Sequence, residues 1–244
     1  MQKRGSTLLP TPSAEVATAA RTSYQDLSAR VALDPWEEAY LRFETPEQEI
    51  QKFLGRLRKL GAADWPRDSR ILEIFSGRGN ALRALERLGF AKLQCADLSP
   101  RLLAEYRGAA NRVACDCRRL PFADHCQDIV IVQGGLHHLP ELPGDLEETL
   151  AEVQRVLAKA GRIVIVEPWR TGFLNLAHFI SENALMRRAW GKLDALAVMT
   201  HYERTTYEQW LSQPKAIQEV ARAHFKPIRE FVAWGKWNFV GAPL

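Results

Sequence analysis

The segment that most limits what this chain can fold into runs from Arg70 through Ile71, Leu72, Glu73, Ile74, Phe75, Ser76, Gly77, Arg78 and Gly79 to Asn80. An apolar run that meets a Gly-x-Gly turn and then a helical stretch reads as strand, tight turn and helix start. Glycines at the turn let backbone approach a ligand closely, and the helix N-terminus adds free N–H groups. Asp97 ends the next apolar run, at the tip of the neighbouring strand, where a carboxylate can accept both hydrogen bonds of a ribose diol. The arrangement is that of a nucleoside pocket at the edge of a parallel sheet.

A missing residue narrows the nucleoside. The dinucleotide fingerprint G-x-G-x-x-G needs a third small residue for close helix packing, and that place falls on Leu82. Glu73 stands four positions before Gly77, where a carboxylate suits a cofactor with a cationic amino-acid end. Both features favour a sulfonium nucleoside over NAD.

Beyond Ile71 short apolar runs alternate with helical stretches, the pattern of right-handed βαβ units. Strands are expected near 70–75, 92–97, 112–116, 128–133 and 161–167, and helices near 79–88, 100–108 and 145–159. Phe225 to Gly241 reads as two short strands around Gly235. Ahead of the sheet, Thr45, Pro46 and Gln48 supply an N-cap, a first-turn proline and a capping-box partner for a stripe of Ile50, Phe53, Leu54, Leu57 and Leu60. The expected organisation is a mobile segment at 1–22, an N-terminal helical lid at 23–66 and a catalytic domain at 67–244. Within that domain, 169–224 is longer than a simple crossover requires and reads as a helical cap over the substrate. The alternative for most of its aromatic residues is the core of added helices.

With 244 residues and 46% hydrophobic content, the chain can bury a core without disulfides. Its four cysteines lack the paired spacing of a zinc site and read as reduced thiols. The net charge of +4 is spread among nearly equal numbers of acids and bases, which argues against a nucleic-acid partner. No run approaches the roughly 20 apolar residues that span a bilayer, and no signal-peptide core is present, so a cytoplasmic location is expected. Peripheral membrane contact through the apolar 173–199 stretch stays open.

The ordered blocks Leu72 to Gly79, Ala96 to Pro100, Asp116-Cys117 with Leu120 to Phe122, Asp128 to Gln133 with Leu136 to Leu139, and Arg155 to Pro168 resemble the class I S-adenosylmethionine-dependent methyltransferases. The resemblance is to the small-molecule group that includes ubiquinone and menaquinone enzymes. It implies an α/β, Rossmann-like seven-stranded sheet, mostly parallel, with a C-terminal antiparallel hairpin, helices on both faces and S-adenosyl-L-methionine as cofactor. One departure stands inside the motif: the family usually has glycine where this chain has Phe75.

The expected cofactor contacts are Tyr24, Glu73, Phe75, Gly77, Gly79, Asp97, Leu98, Asp116, Cys117 and Gln133. Asp116 would accept from an adenine amino group; the competing role is a loop acid capping local backbone. Methyl transfer to an alcohol, phenol or ammonium needs a proton acceptor, which His137 or His201 could supply. The His137-His138 pair is also often structural in the resembling family, and His201 reads equally as a surface histidine. His138, Glu167, Trp169 and Tyr202 are the candidate substrate contacts. The expected partner is a small aromatic or apolar molecule methylated on O or N, without a metal. RNA methylation and a non-catalytic cofactor-binding module are the rivals.

Overall fold

The computed structural model describes residues 34–244. Tyr24, the expected mobile segment and the first part of the lid fall outside the described residues.

Seven strands form one sheet in the order β3-β2-β1-β4-β5-β7-β6. They are β1 (Ile71–Ile74), β2 (Leu93–Asp97), β3 (Asn111–Ala114), β4 (Gln127–Gln133), β5 (Leu157–Pro168), β6 (Phe225–Ala233) and β7 (Lys236–Pro243). The first five run parallel, and β7 pairs antiparallel with both β5 and β6. This is the mostly parallel, Rossmann-like sheet with a closing hairpin that the sequence leads one to expect.

The parallel strands are apolar on both faces because helices cover both. Leu72, Ile74, Val130, Val132, Ile163 and Ile165 belong to one apolar layer. Their alternates Ile71, Ile129, Ile131, Val164 and Val166 belong to the other, as period-two side-chain alternation requires. Helices α1 (Pro35–Phe43) and α2 (Pro46–Lys59) precede the sheet. The Thr45–Gln48 capping box opens α2, whose stripe from Ile50 to Leu57 enters the second layer. Helix α3 (Asn80–Arg87) follows β1, α4 (Pro100–Glu105) follows β2, and α5 (Gly144–Val156) crosses from β4 to β5.

Two boundaries differ from expectation. Helix α4 stops three residues early because Tyr106 leaves it in extended backbone and turns its ring under Gly79, where an ideal Cβ would lie 2.4 Å from that ring. Strand β5 starts at Leu157, absorbing residues expected in the helix before it, with a register shift against β4. Gly161 permits the close crossing: a Cβ there would meet the Asp128 carbonyl at 2.9 Å.

Five helices fill the long crossover: α6 (Gly172–Glu182), α7 (Ala184–Ala189), α8 (Gly191–Tyr202), α9 (Arg204–Ser212) and α10 (Pro214–His224). Helix α8 packs against α1, and the Trp210 indole on α9 donates to the Pro168 carbonyl over 2.8 Å. The chain turns one way from β1 to β2 and the other way to β4. The crevice beyond β1 and β4 is therefore the topological switch point, where ligands of open α/β sheets bind.

Candidate active site

A cavity of about 1140 Å³ opens at this switch point, between the strand ends, α1 and the crossover helices. Its floor is the turn after β1. Gly77 and Gly79 adopt positive φ, the left-handed region where glycine is free of strain; Gly77 lines the cavity, whereas Gly79, expected as a cofactor contact, lies against the Tyr106 ring and does not line it. Phe75 also has positive φ, at 54°, which costs a residue with a β-carbon about 1 kcal/mol or more. Its ring fills the space beside Gly135, where an ideal Cβ would lie 2.2 Å from it.

Asp97, at the end of β2, accepts from the Gly77 N–H over 2.7 Å and from the Ser99 N–H over 2.8 Å. Burial nevertheless leaves its carboxyl pKa raised. Glu73 is 3% exposed, and among the described residues its Oε2 has no hydrogen-bond partner. Burial pushes its pKa well up, with Glu49 and Asp97 reinforcing the shift, while Gln133 and Arg56 oppose it. Among the described residues Ser76 Oγ is likewise buried without a partner. Glu73, Ser76 and Gln133 all line the same cavity.

At the rim beyond Asp97 lie Leu98, Asp116 and Cys117. Asp116 is already engaged: Arg118 donates to both its oxygens, at 3.0 and 2.6 Å, and the Arg118 backbone N–H caps it at 2.9 Å. The local-capping role is thus occupied, and Arg118 holds the Asp116 pKa down.

His137 and His138 sit on a single 3-10 turn after β4, with ring centroids 4.2 Å apart. His137 is 7% exposed, and its Nδ1 meets Glu167 Oε2 at 2.7 Å. Glu167 Oε1 accepts from the Gly135 and Leu136 N–H groups. Burial raises the Glu167 pKa, but the His137 contact and the two backbone donors outweigh it and the net shift is down. An ionised Glu167 fixes the His137 proton on Nδ1 and leaves Nε2 facing Glu203, 3.8 Å away.

Three expectations are corrected by this geometry. Glu167, expected as a substrate contact, is fully buried behind His137 and does not line the cavity. Trp169 packs into the core between Trp210 and Trp237, with centroids 6.4 and 5.2 Å away, and does not line the cavity. His201 is exposed and faces a separate outer groove, so it is a surface histidine. Tyr202 reaches the cavity edge with 57% of its surface exposed.

Glu203, at the break between α8 and α9, points inward instead. It accepts from the Trp36 indole over 2.9 Å and lies 3.4 Å from His138 Nδ1. Sequence reasoning, which expected transfer without a metal, missed this group because its carboxylate comes from the far end of the crossover. Lys236, from the hairpin turn, lines the same end. Burial, with Arg56 adding repulsion, brings its ammonium down to about 8.

Sequence reasoning also missed Arg78 and Glu49. The buried Arg78 guanidinium donates to Glu49, to the Glu44 carbonyl and to the Leu41 carbonyl, and Asn80 donates to the same Glu49 carboxylate. Together they clamp α1 and α2 onto the glycine turn. Tyr40 is carried with them: its hydroxyl would be 2.8 Å from a Cβ on Gly77.

A family model described as "Methyltransferase domain" matches residues 72–165. The ubiquinone/menaquinone biosynthesis C-methyltransferase UbiE of Paracoccus denitrificans is 31% identical over 52% of this chain and 54% of its own length. The demethylmenaquinone methyltransferase of Mycobacterium marinum is 30% identical over 66% of this chain and 68% of its own length. The chain belongs to the class I S-adenosylmethionine-dependent methyltransferases. It spans about half the length of UbiE of Paracoccus denitrificans. The crystal structure of the PH0226 protein from Pyrococcus horikoshii OT3 shares the fold, with a TM-score of 0.63, 18% identity and coverage of 87% of this chain and all of that one.

The side chains present fit the cofactor of a class I methyltransferase. Its amino-acid end carries an ammonium, and Glu73 Oε2 is a buried acceptor with no hydrogen-bond partner among the described residues. The glycine turn and Asp97 frame the space beside it.

Proposed function

We propose that this chain transfers the methyl group of S-adenosylmethionine to a small aromatic or apolar acceptor carrying a hydroxyl. One observation supports this above others: Glu73, whose Oε2 has no hydrogen-bond partner among the described residues, and Asp97 line the same cavity as the Glu167-backed His137. Glu73 receives the cofactor ammonium and Asp97 its ribose hydroxyls, with Phe75, Gly77 and Gln133 as the adjoining wall. Leu98 and Cys117 border the adenine, while Asp116 meets it only from within its Arg118 pair.

Bound cofactor supplies an electrophilic methyl group, and the protein must hold the acceptor in line with it. His137 Nε2 faces the acceptor and takes its proton, with Glu167 stabilising the imidazolium that forms. Lys236 lies at the same end and lowers the energy of an acceptor oxygen that has lost its proton. Helices α6 to α9 act as the cap: Phe173, Leu174, Met199 and Tyr207 line the cavity from that side and exclude water from the transfer. Among the described residues no helix is long and apolar enough to cross a membrane, and the acceptor is a small molecule.

Methylation on oxygen is the first reading. Methylation on a ring carbon beside the hydroxyl is the second, favoured by the C-methyltransferase name of the Paracoccus denitrificans relative. Both need the same deprotonated hydroxyl. Incubation of the protein with carbon-13-labelled methyl donor and a panel of phenols and hydroquinones separates them, because O-methyl and C-methyl carbons resonate in distinct regions. The same panel extended with aromatic amines contradicts the proposal if it returns only N-methyl products, or none.

A further inference from the structure

We propose that His137 Nε2, His138 Nδ1 and the Glu203 carboxylate bind one divalent transition-metal ion at the acceptor end of the cavity. The three donor atoms lie within 4.8 Å of one another. Glu203 Oε2 stands 3.4 Å from His138 Nδ1 and 3.8 Å from His137 Nε2. Donors bound at about 2.1 Å in a tetrahedral or octahedral shell lie about 3.0 to 3.4 Å apart, so small side-chain rotations close the set around an ion.

These atoms converge without satisfying one another. Among the described residues no hydrogen bond joins the three side chains; each instead has its support elsewhere. Glu203 is steadied by the Trp36 indole, and the His138 ring sits edge-on to Trp36 at 5.2 Å. His137 is backed by Glu167 through Nδ1, the carboxylate–histidine arrangement that fixes a ligand's tautomer and strengthens its other nitrogen as a donor. Glu167 is itself anchored by two backbone N–H groups.

Two imidazoles and one carboxylate suit Zn²⁺, Fe²⁺ and Co²⁺ better than Mg²⁺ or Ca²⁺, which prefer all-oxygen shells. Three protein ligands leave open positions, and here all three residues line the cavity. An acceptor oxygen placed there would be polarised by the ion and lose its proton at lower pH. With an ion bound, His137 would serve as its ligand and the ion would supply the activation of that oxygen. This last step rests on the methyl-transfer reading; the ion site does not.

The test is titration of chelator-stripped, full-length protein with Co²⁺, read by the visible absorption of the bound ion. S-adenosylhomocysteine binding is measured in parallel by calorimetry. One equivalent of Co²⁺ per chain is expected, displaced by Zn²⁺. Glu203→Gln and His138→Gln should each weaken Co²⁺ binding at least about tenfold, and Glu167→Gln by about tenfold through its hold on His137. His201→Gln, on the exposed side, should leave it unchanged. Retained S-adenosylhomocysteine binding certifies that each variant is folded. Absence of a Co²⁺ spectrum in the wild-type chain, or a spectrum unchanged in both Glu203→Gln and His138→Gln, overturns the site. Absence of S-adenosylhomocysteine binding alongside an intact Co²⁺ spectrum overturns the methyl-transfer reading alone.

Discussion

The Phe75 ring occupies the space that a side chain at Gly135 would need, with its Cγ 2.2 Å from an ideal Cβ there. Gly135 has ordinary negative φ, so its lack of a side chain answers to the ring and not to the backbone. The two positions adjoin the methyl-donor turn on one side and the His137 turn on the other.

Gly135→Ala should therefore lower stability to urea by about 1–3 kcal/mol, the usual cost of overpacking. In a Phe75→Gly background the same substitution should cost less than about 0.5 kcal/mol. A double-mutant cycle measures the coupling, and equal losses in both backgrounds would show that the ring does not fill this space.

Burial of Glu73 raises its pKa, so the free protein holds a protonated fraction above the usual carboxylate range. A cofactor ammonium favours the carboxylate and releases that proton. Affinity should thus rise as pH increases toward the raised pKa and level off above it. Calorimetry in two buffers of different ionisation enthalpy should record proton release on binding. Proton uptake would contradict the assignment, and Glu73→Gln should abolish the release.

Breaking the clamp at Glu49 leaves the buried Arg78 guanidinium uncompensated. Glu49→Ala should cost about 3–5 kcal/mol in chemical denaturation, and a paired Glu49→Leu, Arg78→Met variant should recover much of it. A loss below about 1 kcal/mol in the single variant would mean that α1 and α2 are held mainly by their apolar stripe.

What the chain discloses by itself follows from how far apart the interacting residues lie in sequence. The turn through Gly77 and Gly79, the alternating strands and the capping box of α2 are local patterns, and they locate the sheet and the cofactor floor. Arg78 and Glu49 meet across separate elements, and nothing near either residue marks the other. His201 and Glu203 show the limit most sharply. His201 stays on the exposed side of α8, whereas Glu203 is the cap residue where α8 ends and α9 begins, and its side chain lines the cavity. Aromatic content flagged the crossover, but only packing shows that Trp169 lies against the core, stacked on Trp237, while Tyr207 lines the cavity.

Binding of S-adenosylhomocysteine to the purified chain tests the central claim most directly. Isothermal titration should give saturable one-to-one binding, weakened at least about tenfold in Asp97→Ala, the cost of losing a carboxylate that accepts charge-assisted hydrogen bonds. No saturable binding by the folded wild-type chain, or equal affinity in Asp97→Ala, would contradict the assignment of this cavity to the methyl donor.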